Sequence, residues 1–147
     1  YVPEINGQYD PAKSKYPIQV LSSASHYFIG DSFQSVPRLQ AMQSRPTVEL
    51  SVNDAKQRGI EDGDLVRLYN EQGDTYCYAV IIDGLLDGVC ATQKQFKGSN
   101  TPNGLNVNNL NSEMLTDFGK SPTFYSVLVE IEKASKEMSE KAIKQGA

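Results

Sequence analysis

The sequence has no tryptophan, one histidine and two cysteines in 147 residues. A structural zinc centre takes about four Cys or His ligands, and three candidates in all do not supply one. No apolar run approaches the roughly 18 residues needed to span a bilayer, and no secretory apolar core is visible. Direct membrane insertion is therefore not expected. A basic block is missing too: 14 Lys and Arg stand against 18 Asp and Glu, for a formal net charge of −4. A chain of that sign is a poor electrostatic match to nucleic acid. Cys77 and Cys90 both sit in strand-like runs and read as free, largely buried thiols, ahead of a disulfide or a partner-related role. Neither neighbourhood looks like a nucleophile loop, so a catalytic pair with His26 is not expected.

What is present suits one domain with a real core. Apolar residues make up 39% of the chain and charged residues 22%, too balanced for disorder throughout. A chain that starts at Tyr1 reads as a processed product or a piece of something longer. Residues 1–17 read as an N-terminal arm or linker, 18–134 as the folded domain, and 135–147 as a charged helical tail, a solvated end ahead of a partner helix.

Local patterning places most elements. Ile18-Gln19-Val20-Leu21 reads as a short strand, followed by the small polar stretch Ser22-Ser23-Ala24-Ser25-His26. Pro46-Thr47-Val48-Glu49-Leu50 alternates as a half-buried strand does. Ser51 then offers a helix N-cap with Asp54 three residues on, and Gly59 stops that helix after little more than a turn. Strands are expected over 65–69 and 75–82, joined by the hairpin turn Asn70-Glu71-Gln72-Gly73, with a further strand near Val89-Cys90-Ala91. Periodicity then fails from 93 to 119, where six of the nine asparagines fall between Asn100 and Asn111. A loop of that length in a small domain is commonly a binding loop. A last strand is expected over 125–132. The domain is mainly β, with strands spaced like those of a small barrel.

In that order the residues resemble one known domain: the C-terminal molybdopterin-dinucleotide-binding domain of the dimethyl sulfoxide reductase family of molybdenum and tungsten oxidoreductases. The resemblance centres on Pro46-Thr47-Val48-Glu49-Leu50-Ser51-Val52-Asn53-Asp54-Ala55, continuing through Arg58-Gly59-Ile60-Glu61-Asp62-Gly63-Asp64. Asn70 and Gly73 match its "Asn, two residues, Gly" turn. His26-Tyr27-Phe28-Ile29 through Ser32-Phe33, Asn106-Val107-Asn108-Asn109-Leu110 and Asp117-Phe118-Gly119 are similar to segments of thiosulfate- and polysulfide-reductase-like members. Three features depart from the pattern: Gly30-Asp31 stands for Asn-Ser, Asn111 stands for Thr, and Gln95-Phe96 precedes the late loop where Trp is frequent.

The resemblance implies a six-stranded double-psi β-barrel that holds one molybdopterin guanine dinucleotide by its loops. The metal, Mo or W, would be ligated outside this domain. It implies Ser22, Ser25 and His26 against phosphates and ribose, Phe28 packed on a ring face, Asp31 and Ser32 near the guanine, and Asn106 and Asn108 on the pterin edge. These residue types suit such a ligand, since hydroxyls and amides offer short donors and a carboxylate accepts from both guanine N–H groups. Each also has an ordinary structural role available, as a serine-rich turn, a core aromatic or a loop-stabilising asparagine. Asp54, Asp62 and Asp64 read as capping and turn acids ahead of a calcium site. Implied partners are the remaining domains of the same catalytic subunit and an iron–sulfur electron-transfer subunit; no catalytic residue is expected here. Two rivals share the fold, a partner- or peptide-binding barrel and a self-processing pyruvoyl decarboxylase, whose cleavage would need Gly98-Ser99.

Overall fold

In the computed structural model, residues 15–30, 32–94, 96–116, 118–123 and 126–145 are described. Asp31, Gln95, Asp117 and Tyr125, and residues 1–14 of the expected arm, lie outside them.

Six strands form one closed barrel: β1 (Ile18–Ser23), β2 (Thr47–Ser51), β3 (Leu65–Tyr69), β4 (Asp74–Ile82), β5 (Val89–Gln93) and β6 (Leu128–Lys133). Around the wall the order is β1-β5-β2-β4-β3-β6. Two pairs run parallel, β1 with β5 and β2 with β4, and the other neighbours are antiparallel. This is the double-psi arrangement. Alternation explains the wall: Val48 and Leu50 of β2 are fully buried while Thr47 and Glu49 are only half-buried, and Cys77 and Ala79 of β4 point into the same core. Burying Val48 or Leu50 stabilises the fold by about 1.5–3 kcal/mol relative to exposure.

The helix α2 (Val52–Gln57) starts as its sequence requires: Ser51 Oγ accepts from the Asp54 N–H at 3.1 Å. Gly59 follows with φ +63°, a left-handed turn that lets Ile60 return to the core at 4% exposure. The expected strand over 125–132 starts later, at Leu128, and Ser126 and Val127 lie outside it. Sequence patterning carried no sign of α1 (Pro37–Met42), a single turn and a half with no side-chain cap and no buried residue. The tail forms α3 (Lys136–Gln145), largely exposed along its first turns, but Ala142 is buried at 6%.

Candidate functional site

The register sets one end of the barrel apart. Ser23 of β1 pairs with Gln93 of β5, and Thr92 pairs with Val48, so both strands end where β2 begins. Tyr78 lies opposite Thr47, and β4 extends four residues further back to Asp74 at that same end. Four segments therefore converge: 24–36 after β1, 43–46 before β2, 94–111 after β5, and the β3–β4 turn. Their base is a polar lattice. Thr92 Oγ1 donates to the Thr47 carbonyl at 2.8 Å, and the Gln93 amide accepts from Thr47 N at 3.1 Å while donating to Thr47 Oγ1 at 2.9 Å.

The expected ligand residues fall into two groups. Ser25, Phe28 and Asn106 are occupied with the fold. Ser25 Oγ accepts from the Tyr27 and Phe28 N–H groups and donates to Gln43 Oε1 at 2.5 Å, which fixes the turn and pins it to the end of α1. Phe28, 5% exposed, packs edge-on against Phe96, with ring centroids 6.2 Å apart. The Asn106 amide donates to the Phe96 carbonyl at 3.1 Å, and its Oδ1 accepts from Asn108 N at 3.0 Å, capping the 3-10 turn Val107–Leu110. Phe96 thus joins the 24–36 segment to the 96–110 segment.

Ser22, His26, Ser32 and Asn108 form the other group. Ser22 is half-buried; the other three are exposed. Among the described residues, their side chains have no hydrogen-bond partner. His26 stands edge-on to Tyr27 at 5.0 Å. Ser32 is held through its backbone, which donates to the Ile29 carbonyl at 3.0 Å. Asp31 lies outside the described residues.

Two residues that organise the site were not among the expected ligand contacts. Gln34, 1% exposed, donates to the Gly30 carbonyl at 3.0 Å and accepts from Lys97 N at 2.6 Å, so it clamps the two loops together. A glutamine in a polar stretch gives no hint of such burial. Asn109 donates to the Asp74 carbonyl at 3.1 Å, lying across Gly73.

The acids and thiols are structural. Asp54 Oδ2 accepts from Gly88 N at 2.7 Å and Oδ1 pairs with Arg58; Asp62 accepts from Ile81 N, and Asp64 from Glu61 N. Cys77 and Cys90 are free and buried. Burial pushes the Cys77 thiol up to about 12, against a weaker opposing contact from Thr92, and raises Cys90 further. Gly98 is explained by close approach, because a Cβ there would sit 2.5 Å from the Gly104 carbonyl oxygen.

Residues 18–128 match the family described as "Molydopterin dinucleotide binding domain". Among curated proteins, the chain is 29% identical to the dimethyl sulfoxide reductase DmsA of Escherichia coli over 62% of its own length and 11% of that protein's. It is 35% identical to the perchlorate reductase subunit alpha of Dechloromonas aromatica over 48% of its length and 8% of that protein's. The chain spans less than a fifth of the length of the curated relatives it matches. Among solved structures, acetylene hydratase from Pelobacter acetylenicus superposes with a TM-score of 0.74 over 84% of this chain and 19% of that one, at 12% identity, a likeness of fold. The family match runs over most of the chain, including every barrel strand up to the start of β6, and the dimethyl sulfoxide reductase DmsA is among the relatives. The chain thus belongs to the molybdopterin dinucleotide-binding domains of the dimethyl sulfoxide reductase family.

Proposed function

We propose that this domain holds one molybdopterin guanine dinucleotide at the barrel end where β1 and β5 finish, with Ser22, His26, Ser32 and Asn108 as its contacts and Asp31 beside the guanine. The observation that carries this reading is the division of labour between the two groups of side chains. Ser25, Phe28, Asn106 and Gln34 hold the loops from inside, and the four contact residues keep donors and acceptors unspent at the surface. That donor set fits the group: hydroxyl and imidazole N–H suit phosphate and ribose oxygens, and a carboxamide suits a heterocycle edge that both donates and accepts. When bound, the cofactor supplies the metal and the redox chemistry; the domain binds, orients and shields it.

The remaining domains of the same catalytic subunit are the proposed partners, with an iron–sulfur electron-transfer subunit beyond them. Apolar side chains on these loops support an interdomain face: Ile29 is 75% exposed and Phe33 54%. Phe33 is also held at φ 69°, a conformation that costs a bulky residue on the order of 1–3 kcal/mol and is kept where the surroundings require it. Kinship with thiosulfate- and polysulfide-reductase-like subunits is part of the proposal, on His26-Tyr27-Phe28 and Asn106-Val107-Asn108.

The test is to purify the intact polypeptide that carries this domain and measure its molybdenum, tungsten and acid-released guanine nucleotide together. Roughly one metal per chain with guanine nucleotide is expected; a chain with neither overturns the reading. Ser32→Ala and Asn108→Ala should lower occupancy with an unchanged melting temperature. Asn106→Ala should lower both, because its amide holds Phe96 and caps the 107–110 turn. Full occupancy in Ser32→Ala and Asn108→Ala would remove these residues from the site.

A further inference from the structure

A second concavity opens beside the site, and none of the described cofactor contacts lines it. It measures about 440 Å³, within the range of small-molecule pockets. Its walls come from α1 (Pro37, Gln40, Ala41), the residues before β2 (Ser44, Arg45), Tyr78 of β4, residues 99–102, and Ala142 of the tail helix. Among the described residues no acid lines it, although the chain carries 18, and Arg45 is the one cation. The Arg45 guanidinium lies over the Tyr78 ring, 4.2 Å from the centroid. Among the described residues Arg45 makes no ion pair. Stacking on Tyr78 restrains the side chain and leaves its N–H edge available.

The neighbours add donors. Ser99 Oγ donates to Asn100 Oδ1 at 3.1 Å, which engages the Asn100 oxygen and leaves its NH2 group. Gln40 and Ser44 contribute an amide and a hydroxyl to the same wall. One restrained cation and several neutral donors, with no carboxylate among the described wall residues, favour an anion with acceptor oxygens on several sides. The volume exceeds that of a bare anion, and Pro37, Ala41, Pro102 and Ala142 supply apolar wall for an attached body.

We propose that this groove binds a small phosphate ester, with Arg45 reading the phosphate and the proline and alanine wall taking the organic body. None of the proposed cofactor contacts lines the groove, although Ser44, Arg45 and residues 99–102 lie on two of the four segments that build the cofactor end. Two sources share this chemistry, a nucleoside monophosphate and a non-nucleotide ester.

The experiment titrates phenyl phosphate, GMP, phenol and guanosine into the intact polypeptide by calorimetry, using the native chain and Arg45→Gln, Arg45→Lys and Arg38→Gln variants. Arg38 is an exposed cation on α1 outside the groove wall, so its loss matches the change in net charge. Both phosphate esters should bind the native chain, and phenol and guanosine should not. Arg45→Gln should weaken phenyl phosphate about ten- to hundredfold. Arg45→Lys should also weaken it, because the planar fork and the stack are lost, while Arg38→Gln stays within about twofold. GMP binding that is tighter than that of phenyl phosphate and weakens in Arg45→Gln would assign the nucleotide source; GMP binding indifferent to Arg45 belongs to the cofactor end and leaves the non-nucleotide ester as the source. Undiminished binding in a folded Arg45→Gln, an equal loss in Arg38→Gln, or no binding of either ester overturns the proposal.

Discussion

Asp54 occupies the junction of three elements, and its environment explains why a carboxylate stands at a position 6% exposed. Its N–H donates to the capping Ser51 Oγ at the start of α2. Its carboxylate accepts from Ser51 Oγ and from Gly88 N at the entry to β5 and pairs with Arg58, whose Nε also reaches Glu130 of β6 at 2.7 Å. Removing the carboxylate leaves Arg58 with Glu130 but strands the Gly88 N–H and the Ser51 hydroxyl contact, a loss on the order of 1–3 kcal/mol. Asp54→Ala should therefore lower the unfolding free energy by that amount, read as a lower denaturant midpoint at unchanged slope; a loss under about 1 kcal/mol would show that water replaces the carboxylate. At the same scale, the raised thiols of Cys77 and Cys90 predict no reaction with an aromatic disulfide reagent in the native state and two equivalents after denaturation. Native labelling would mean that the barrel opens locally. The Ser51 cap with Asp54 three residues on and the burial of both thiols were legible from local sequence. The links to Gly88 and Arg58 were not, because they join residues that only the barrel closure brings together.

The β3–β4 hairpin carries one motif of the family resemblance, and the structure gives its physical reason. Asn70 Oδ1 accepts from Gln72 N and Gly73 N, while its amide donates to the Leu110 carbonyl at 2.9 Å and the Leu128 carbonyl at 3.1 Å. Gly73 lacks a side chain because a Cβ would lie 2.3 Å from Asn109 Nδ2. The turn is thus a latch for the 107–110 segment that presents Asn108. Gly73→Ala should displace Asn109 and lower stability by about 1–3 kcal/mol, with faster amide exchange concentrated over 106–111. Exchange that rises evenly across the barrel would instead indicate global destabilisation. The hairpin could be read from its Asn and Gly, and β2 from its alternation, because both signals are local. The short α1 and the Gln34 clamp could not: a helix of six residues with no buried face leaves no periodic trace, and the meaning of Gln34 lies in its contact with Lys97, 63 residues away.

For the whole molecule, closure depends on β6, which pairs with β3 over four residues and with β1 over two. An ion pair reinforces the longer seam: Lys133 Nζ lies 2.8 Å from Asp64. Partial burial opposes ionisation of Asp64, but the Lys133 ammonium and the Glu61 N–H outweigh it and hold the carboxyl below its ordinary 3.8. At the start of β5, Ser51 and Asn53 likewise hold Asp87 below 3.8 against a small burial effect. Both groups have folded-state pKa values below their unfolded ones, so the stability they contribute is present above pH 3.8 and is lost as pH falls through the depressed values. Lys133 behaves oppositely, its pKa raised above 10.5 chiefly by its hydrogen bond to Asp64, so its contribution is complete below that pH and fades above the raised value. Thermal melts should show a plateau between these limits and a decline on acidification. Asp64→Asn and Asp87→Asn should each flatten the acid limb, and Asp64→Asn should also flatten the alkaline one, because it removes the partner that raises Lys133. An acid limb unchanged in the double variant would assign the decline to other carboxylates and free β6 closure from this ion pair.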